Sequence, residues 1–283
     1  MPDDHASNPP RTFAGLGLDR PLVMGIVNVT PDSFSDGGDF VADEAAIAQG
    51  LRLVEEGADI VDIGGESTRP GSTPVSVDEE LRRVVPVVRA LVRAGVAVSI
   101  DTRRAAVMRA AIAEGARIVN DITALTFEPD SMAAVAQSAV SVVLMHMQGE
   151  PATMQKAPHY DDAPAEVAAY LAARVAACEA AGIERRRIAI DPGIGFGKTT
   201  QHNLQLLARV DRLAAIGVPV LIGVSRKGFI AKLSRGEEPK ARAPGSIAAA
   251  LAAVARGATI VRVHDVAATR QALAVWQAIE DAS

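Results

Sequence analysis

Asp101, Asn120 and Asp191, together with Lys227, Arg262 and His264, carry the plainest chemistry in this sequence. A carboxylate pairs in bidentate fashion with an N–H/NH2 edge, as it does with guanidinium. Asn adds both a donor and an acceptor. The first three residues would therefore make a wall for a flat heterocycle with amidine-like edges. The three cations or potential cations suit phosphate or pyrophosphate and would form the other side. A ligand joining a polar heteroaromatic to a phosphate satisfies both halves. Taken singly, each residue could be a helix cap or a solvated turn.

Two polar loops could close over such a ligand. Thr30-Pro31-Asp32-Ser33-Phe34-Ser35-Asp36-Gly37-Gly38-Asp39 is dense in turn formers around one aromatic, Phe34. Glu66-Ser67-Thr68-Arg69-Pro70-Gly71-Ser72-Thr73-Pro74 is the second. Long loops of this kind with glycine hinges are candidates for lids, and otherwise ordinary solvent loops. Gly193-Ile194-Gly195-Phe196-Gly197-Lys198-Thr199 fits neither phosphate-binding glycine motif, because Pro192 and Lys198 stand where glycines are required. The five histidines lack zinc-site spacing. A metal, if used, is expected to be Mg²⁺ held by few protein oxygens plus phosphate.

The elements that must position these groups follow from hydrophobic patterning. Short β-branched runs alternate with Ala-rich helical stretches: Val23–Val27, Ile60–Ile63, Val96–Ile100, Ile118-Val119, Val140–Leu144, Ile188–Ile190, Val220–Ile222 and Thr259–Val261. Helical patterns lie between them, for example Asp43–Glu56, Asp78–Arg93 and Glu166–Ala181, and a last one covers Ala267–Glu280. Eight strands each followed by a helix predict an α/β chain forming a single (β/α)8 TIM barrel, with an open doubly wound sheet as the alternative. The polar residue at or just past each strand is then Asn28, Asp62, Asp101, Asn120, His146, Asp191, Ser225 with Lys227, and Arg262 with His264, all at one mouth.

An internal repeat supports closure. Gly57-Ala58-Asp59-Ile60-Val61-Asp62, Gly115-Ala116-Arg117-Ile118-Val119-Asn120 and Gly257-Ala258-Thr259-Ile260-Val261-Arg262 are nearly one phrase. Each glycine is expected to end a helix in the left-handed conformation, and each Ile-Val pair to enter the sheet before a polar residue.

Composition bounds the rest. The chain has 283 residues, 49% apolar but only 3% aromatic, so its core is aliphatic. With 29 basic against 34 acidic residues the net charge is −5, and without a basic run nucleic acid is not an expected partner. The polar, acidic start does not resemble a signal peptide, and no apolar stretch approaches the roughly 20 residues of a membrane span. The one cysteine, Cys178, reads as a helical filler and fits a reducing, cytoplasmic compartment. Residues 1–12 are expected to form a flexible tail, and residues 13–283 the barrel.

Met24–Gly38, with its core Asn28-Val29-Thr30-Pro31-Asp32-Ser33-Phe34-Ser35-Asp36-Gly37, and Asp62-Ile63-Gly64-Gly65-Glu66-Ser67-Thr68-Arg69-Pro70-Gly71 resemble the two signatures of the dihydropteroate synthase family. Asp191–Lys198, Ser225-Arg226-Lys227 and Arg262-Val263-His264-Asp265 resemble further motifs of it. The resemblance covers nearly the whole chain beyond the tail. It implies a barrel that condenses dihydropterin hydroxymethyl pyrophosphate with para-aminobenzoate, giving dihydropteroate and pyrophosphate, and a homodimer through helices near the C-terminus.

Residue by residue, the resemblance places the pterin pocket on Asp101, Asn120, Asp191 and Lys227, with Thr68 beside the pyrophosphate. It places pyrophosphate on Asn28, Arg262 and His264, with Asn28 near Mg²⁺. Aminobenzoate falls on Phe34, Arg69, Pro70, Phe196 and Lys227. Asp36 and Phe34 belong to a closing lid, and catalysis rests on these two with Arg69, Lys227, Arg262 and His264. One departure is Gly228, where many members carry serine; the backbone N–H is then left to meet the aminobenzoate carboxylate. A pterin-dependent methyltransferase shares the barrel and the pterin wall but has no use for a pyrophosphate site. A non-catalytic pterin-binding paralogue would show gaps among the lid residues, and the sequence has none beyond Gly228.

Overall fold

The apolar runs become strands because β-branched residues pack well on a surface buried on both faces. A computed structural model describes residues 12–30, 38–67, 74–151 and 153–282. It opens with a hairpin, β1 (Thr12–Phe13) and β2 (Leu16–Gly17), turned through Ala14 and Gly15 at φ of 53° and 78°. The predicted strands follow as β3 (Leu22–Asn28), β4 (Ile60–Gly64), β5 (Val98–Asp101), β6 (Ile118–Asp121), β7 (Ser141–Met145), β8 (Ile188–Asp191), β9 (Leu221–Ile222) and β10 (Ile260–Val263).

These eight strands are parallel and lie in the order β8-β7-β6-β5-β4-β3-β10-β9. A parallel bridge between Ile190 and Val220 joins the two ends of that order. The sheet is therefore a closed barrel, not an open doubly wound sheet.

Helices wrap it: α1 (Gly38–Glu55), α2 (Val77–Arg93), α3 (Ala105–Ala113), α4 (Ser131–Ala136), α5 (Ala163–Ala180), α6 (Thr200–Ala208), α7 (Val210–Ala214), α8 (Gly228–Leu233), α9 (Ala243–Val254) and α10 (Val266–Glu280). Their starts are locally encoded. Ser76 Oγ accepts from Glu79 N at 3.2 Å, and Thr199 and His202 form a reciprocal capping box. The repeat glycines Gly57, Gly115 and Gly257 have φ of 100°, 98° and 104°. Each sits in a Schellman pattern, as in Gly57 N to Val54 O and Ala58 N to Leu53 O. The main core lies between barrel and helices, and includes Cys178, whose thiol burial pushes up to about 11. A second cluster fills the barrel's N-terminal end. There Phe13 packs with residues from every barrel strand but β5, among them Met24, Ile60, Ile118, Val143 and Ile260.

Candidate active site

Asn28, Gly64, Asp101 and Asn120 stand side by side on four neighbouring strands: Asn28 pairs with Gly64, Gly64 with Asp101, and Asp101 with Asn120. Asp191 ends β8 beside Met145. Two glycines keep the space between these groups clear. A Cβ on Gly64 would lie 3.6 Å from the Asp101 Cβ and 3.9 Å from Asn28 Oδ1; one on Gly223 would lie 3.9 Å from both Asp191 Oδ2 and the Arg262 Cβ. Sequence reading named the polar residues and missed these glycines. Their signal was position: each immediately follows an apolar strand run.

The polar sixth residues of the three repeats meet one another. Arg262 Nε donates to Asp62 Oδ2 at 2.6 Å, and Asn120 Nδ2 donates to the same oxygen at 3.0 Å. Arg262 Nη2 donates to Asp101 Oδ2 at 2.7 Å. This changes one expectation. Arg262 does not stand across the mouth from the carboxylates; it is bound into their wall, because two buried acids need a counter-charge. Burial pushes the Asp101 carboxyl up to about 7, with Arg262 opposing and Asp62 adding to the rise.

Asp191 accepts from Gly193 N at 2.7 Å. Its pKa is raised by burial, with Lys227 pulling the other way. Lys227 bonds to the Ile194 carbonyl and holds its Nζ 4.7 Å from the Phe196 ring centre. Burial lowers the Lys227 ammonium to about 8 despite the attraction of Asp191. Asp101, Asn120, Asp191, Lys227, Phe196 and Arg262 are therefore gathered at one mouth, as the sequence predicted.

His264 sits at the end of the last strand. Its backbone N donates to Ser225 Oγ at 3.1 Å, and its Nδ1 lies 2.9 Å from that oxygen. The neighbouring Arg226 adopts φ 58° and pairs with Asp265, Nε to Oδ2 at 3.0 Å. That pair ties the Ser225-Arg226-Lys227 turn to the last strand. Gly228 opens α8 in an exposed position, and a Cβ there would meet nothing within 4 Å.

Lys198 and His146 form a second buried pair below the β8 loop. Lys198 is 2% exposed, and its Nζ lies 3.0 Å from His146 Nδ1 and donates to Phe196 O at 2.9 Å. Its ammonium braces the loop that carries Phe196 and is not offered to a phosphate. Burial holds His146 down at about 3, the Lys198 charge adding to the effect, and holds Lys198 at about 7. The sequence places Lys198 at the end of the Asp191–Lys198 motif but carries no sign of its burial.

Phe34, Asp36, Thr68, Arg69 and Pro70 lie outside the described residues. The flanks of the second loop are described. Glu66 receives Arg103 Nη2 at 3.0 Å, and Arg104 Nη2 donates to Val75 O at 2.6 Å.

A sequence model of the "Pterin binding enzyme" family matches residues 24–264. The chain is 52% identical over 267 residues to the dihydropteroate synthase of Neisseria meningitidis serogroup C, covering 93% of this chain and 94% of that protein. It is 48% identical over 264 residues to that of Escherichia coli K12, covering 93% of each. Among solved structures, dihydropteroate synthase of Xanthomonas albilineans with 4-aminobenzoic acid superimposes with a TM-score of 0.89 at 57% identity, covering 94% of this chain and 96% of that one. The same enzyme in complex with 7,8-dihydropteroate gives a TM-score of 0.86 at 56% identity, covering 94% and 95%. A closed barrel with this mouth and matches of this extent make the chain a member of the pterin-binding enzyme family, among its dihydropteroate synthases.

Proposed function

We propose that the chain joins para-aminobenzoate to the dihydropterin of 6-hydroxymethyl-7,8-dihydropterin pyrophosphate, releasing pyrophosphate and forming 7,8-dihydropteroate for folate synthesis. The observation that carries this reading is the convergence of Asp101, Asn120 and Asp191 with Lys227 and Arg262 around a glycine-lined slot. Acids and an amide match the donor edge of a pterin ring, while cations beside them match its leaving group.

The chain's part in the reaction is electrostatic. Carbon–oxygen cleavage puts negative charge on departing pyrophosphate and positive charge on the pterin-methyl group. Arg262 and His264 stabilise the first, and Asp101 and Asp191 the second. The aniline nitrogen of aminobenzoate then attacks the cation and loses a proton to solvent, from a site beside Phe196 and Lys227 to which the resemblance adds Arg69 and Pro70. The family resemblance gives Thr68 to the pyrophosphate, and gives Phe34 and Asp36 the task of excluding the water that would capture the cation.

Mg²⁺ fits at Asn28. The Asn28 amide oxygen is a hard ligand at the mouth beside Asp101, and no cluster of three acidic, His or Cys ligands occurs among the described residues. A lone amide oxygen suits an ion that takes its other ligands from substrate phosphate and water. When bound, it would neutralise charge on the leaving group.

The chain is further read as a cytoplasmic homodimer. No described helix is long and apolar enough to cross a membrane. An apolar groove of about 680 Å³ runs between α6, α8 and α9, and Leu233 and Val275 are 54% and 57% exposed. A second copy would cover such surface. Light scattering at micromolar concentration should give twice the chain mass.

The function is tested by measuring pyrophosphate release with purified protein while each component is omitted in turn. Release should need the pterin ester and Mg²⁺, and dihydropteroate should form only with aminobenzoate present. Dihydropteroate absent from the complete mixture would overturn the reading.

A further inference from the structure

Asp62 is fully buried, on β4, one inward-facing position below the level of Gly64, Asp101 and Asn120. It cannot touch a ligand in the mouth. Yet its Oδ2 accepts from two groups that line the mouth, the Nδ2 of Asn120 at 3.0 Å and the Nε of Arg262 at 2.6 Å. Both bonds have directional consequences. A carboxylate oxygen accepts and does not donate, so the NH2 of Asn120 must point down to Asp62. The amide is then held with its carbonyl oxygen turned away from Asp62, toward the mouth.

Arg262 begins lower still. Its Cα is in register with Met24, and Met24 with Ile60. Its side chain climbs past Asp62, bonds there through Nε, and reaches Asp101 through Nη2 at 2.7 Å. The Nε bond fixes the guanidinium plane, and with it the direction of the remaining N–H groups.

We propose that Asp62 is a positioning residue that decides which edge the pocket recognises, acting through Asn120 and Arg262. It turns the Asn120 carbonyl oxygen to the mouth, so the ring atom facing that oxygen must carry a hydrogen, and it aims Arg262 toward the leaving group. The Oδ1 of Asp62 is buried and has no hydrogen-bond partner. A buried carboxylate with one oxygen unpaired is a poor device for stability alone, which agrees with a role in orienting its partners. The inference rests on the pterin reading above.

The test is a set of double-mutant cycles on binding of 6-hydroxymethyl-7,8-dihydropterin pyrophosphate by calorimetry, with thermal melts alongside. Asp62→Asn places an NH2 where the unpaired oxygen was and removes the charge that fixes both partners. It should weaken binding at least tenfold in the wild-type background. The loss should shrink at least threefold when Asn120 is already Ala, and likewise when Arg262 is already Lys. The same factor in all backgrounds, whatever the melting temperature, would mean that Asp62 only supports the barrel, and would overturn the proposal. So would unchanged affinity.

Wild-type protein that does not bind the ester would sink the pterin reading and the proposal with it; binding by wild type with an equal Asp62→Asn variant sinks the proposal alone. Should Asp62→Asn fail to fold, nitrogen-15 spectra of the unsubstituted protein decide. The Arg262 Nε–H and the Asn120 amide protons should exchange slowly with water and show restricted rotation. Rapidly exchanging, averaged signals would overturn the proposal.

Discussion

At the scale of single residues, the mouth is a set of buried charges whose states depend on one another. Asp191 offers its carboxylate beside Lys227 and takes a backbone N–H from Gly193. Asp191→Asn keeps the shape and loses one charged acceptor, a bond of about 1.5–3 kcal/mol. Pterin affinity measured by calorimetry should fall roughly ten- to hundredfold by that estimate. Gly228→Ser restores a hydroxyl in open space, so it should leave the melting temperature unchanged. It should lower the KM for aminobenzoate about two- to tenfold, the worth of one neutral hydrogen bond.

His146 makes a pH prediction. Folded, it stays neutral down to about 3; unfolded, it takes up a proton near its ordinary 6.5. Between those values the unfolded chain binds more protons, so stability falls as the pH drops through the window. His146→Gln keeps an acceptor for Lys198 and does not titrate. Its melting temperature should therefore fall less steeply than wild type from pH 6.5 toward 4, and parallel curves would refute the assignment.

At the scale of elements, the slot exists because two strand ends carry no side chain. Gly223 follows β9 with Asp191 on one side and Arg262 on the other, at ordinary contact distance for a single methyl. Gly223→Ala should therefore be tolerated. Gly223→Leu should project into the ring's space and reduce pterin affinity at least tenfold, with little change in circular dichroism; unaltered affinity would place the ring elsewhere. The β8 loop is less forgiving. Gly193 has φ 66°, and a Cβ there would lie 2.0 Å from the His146 carbonyl oxygen. Backbone strain and contact with a neighbouring loop both demand glycine at that point.

At the scale of the whole molecule, stability and chemistry sit at opposite ends of one barrel. Phe13 plugs the N-terminal end, wholly buried among residues from seven strands. Phe13→Ala should cost about 3–5 kcal/mol in denaturant unfolding. Because the mouth lies at the other end, pterin affinity of the folded variant should stay within about twofold, as expected for sites that share no partners. A larger loss of affinity would show that the two ends are coupled. The same separation explains why the loops after the strands can differ in length and composition while the barrel beneath them holds its register.

The sequence by itself determined the alternation of eight strands and their helices, the glycine-terminated repeat, and the polar residues that end the strands. Each of these is local: apolar periodicity sets the element, a left-handed glycine ends the helix, and a polar residue ends the strand. Thr12, expected at the end of a tail, is instead paired with Gly17 in the hairpin. Only the tertiary structure decided which groups face one another. Asp62, Asn120 and Arg262 look equivalent as the sixth residues of three similar phrases. Closing the barrel brings them onto one carboxylate oxygen, since β10, β4 and β6 are alternate strands around the ring and send these side chains into one shared interior. The same closure placed Arg262 within the acidic wall and buried Lys198 against His146. Charge pairing depends on distance through space and on the loss of solvent, and neither is written in residue spacing along the chain.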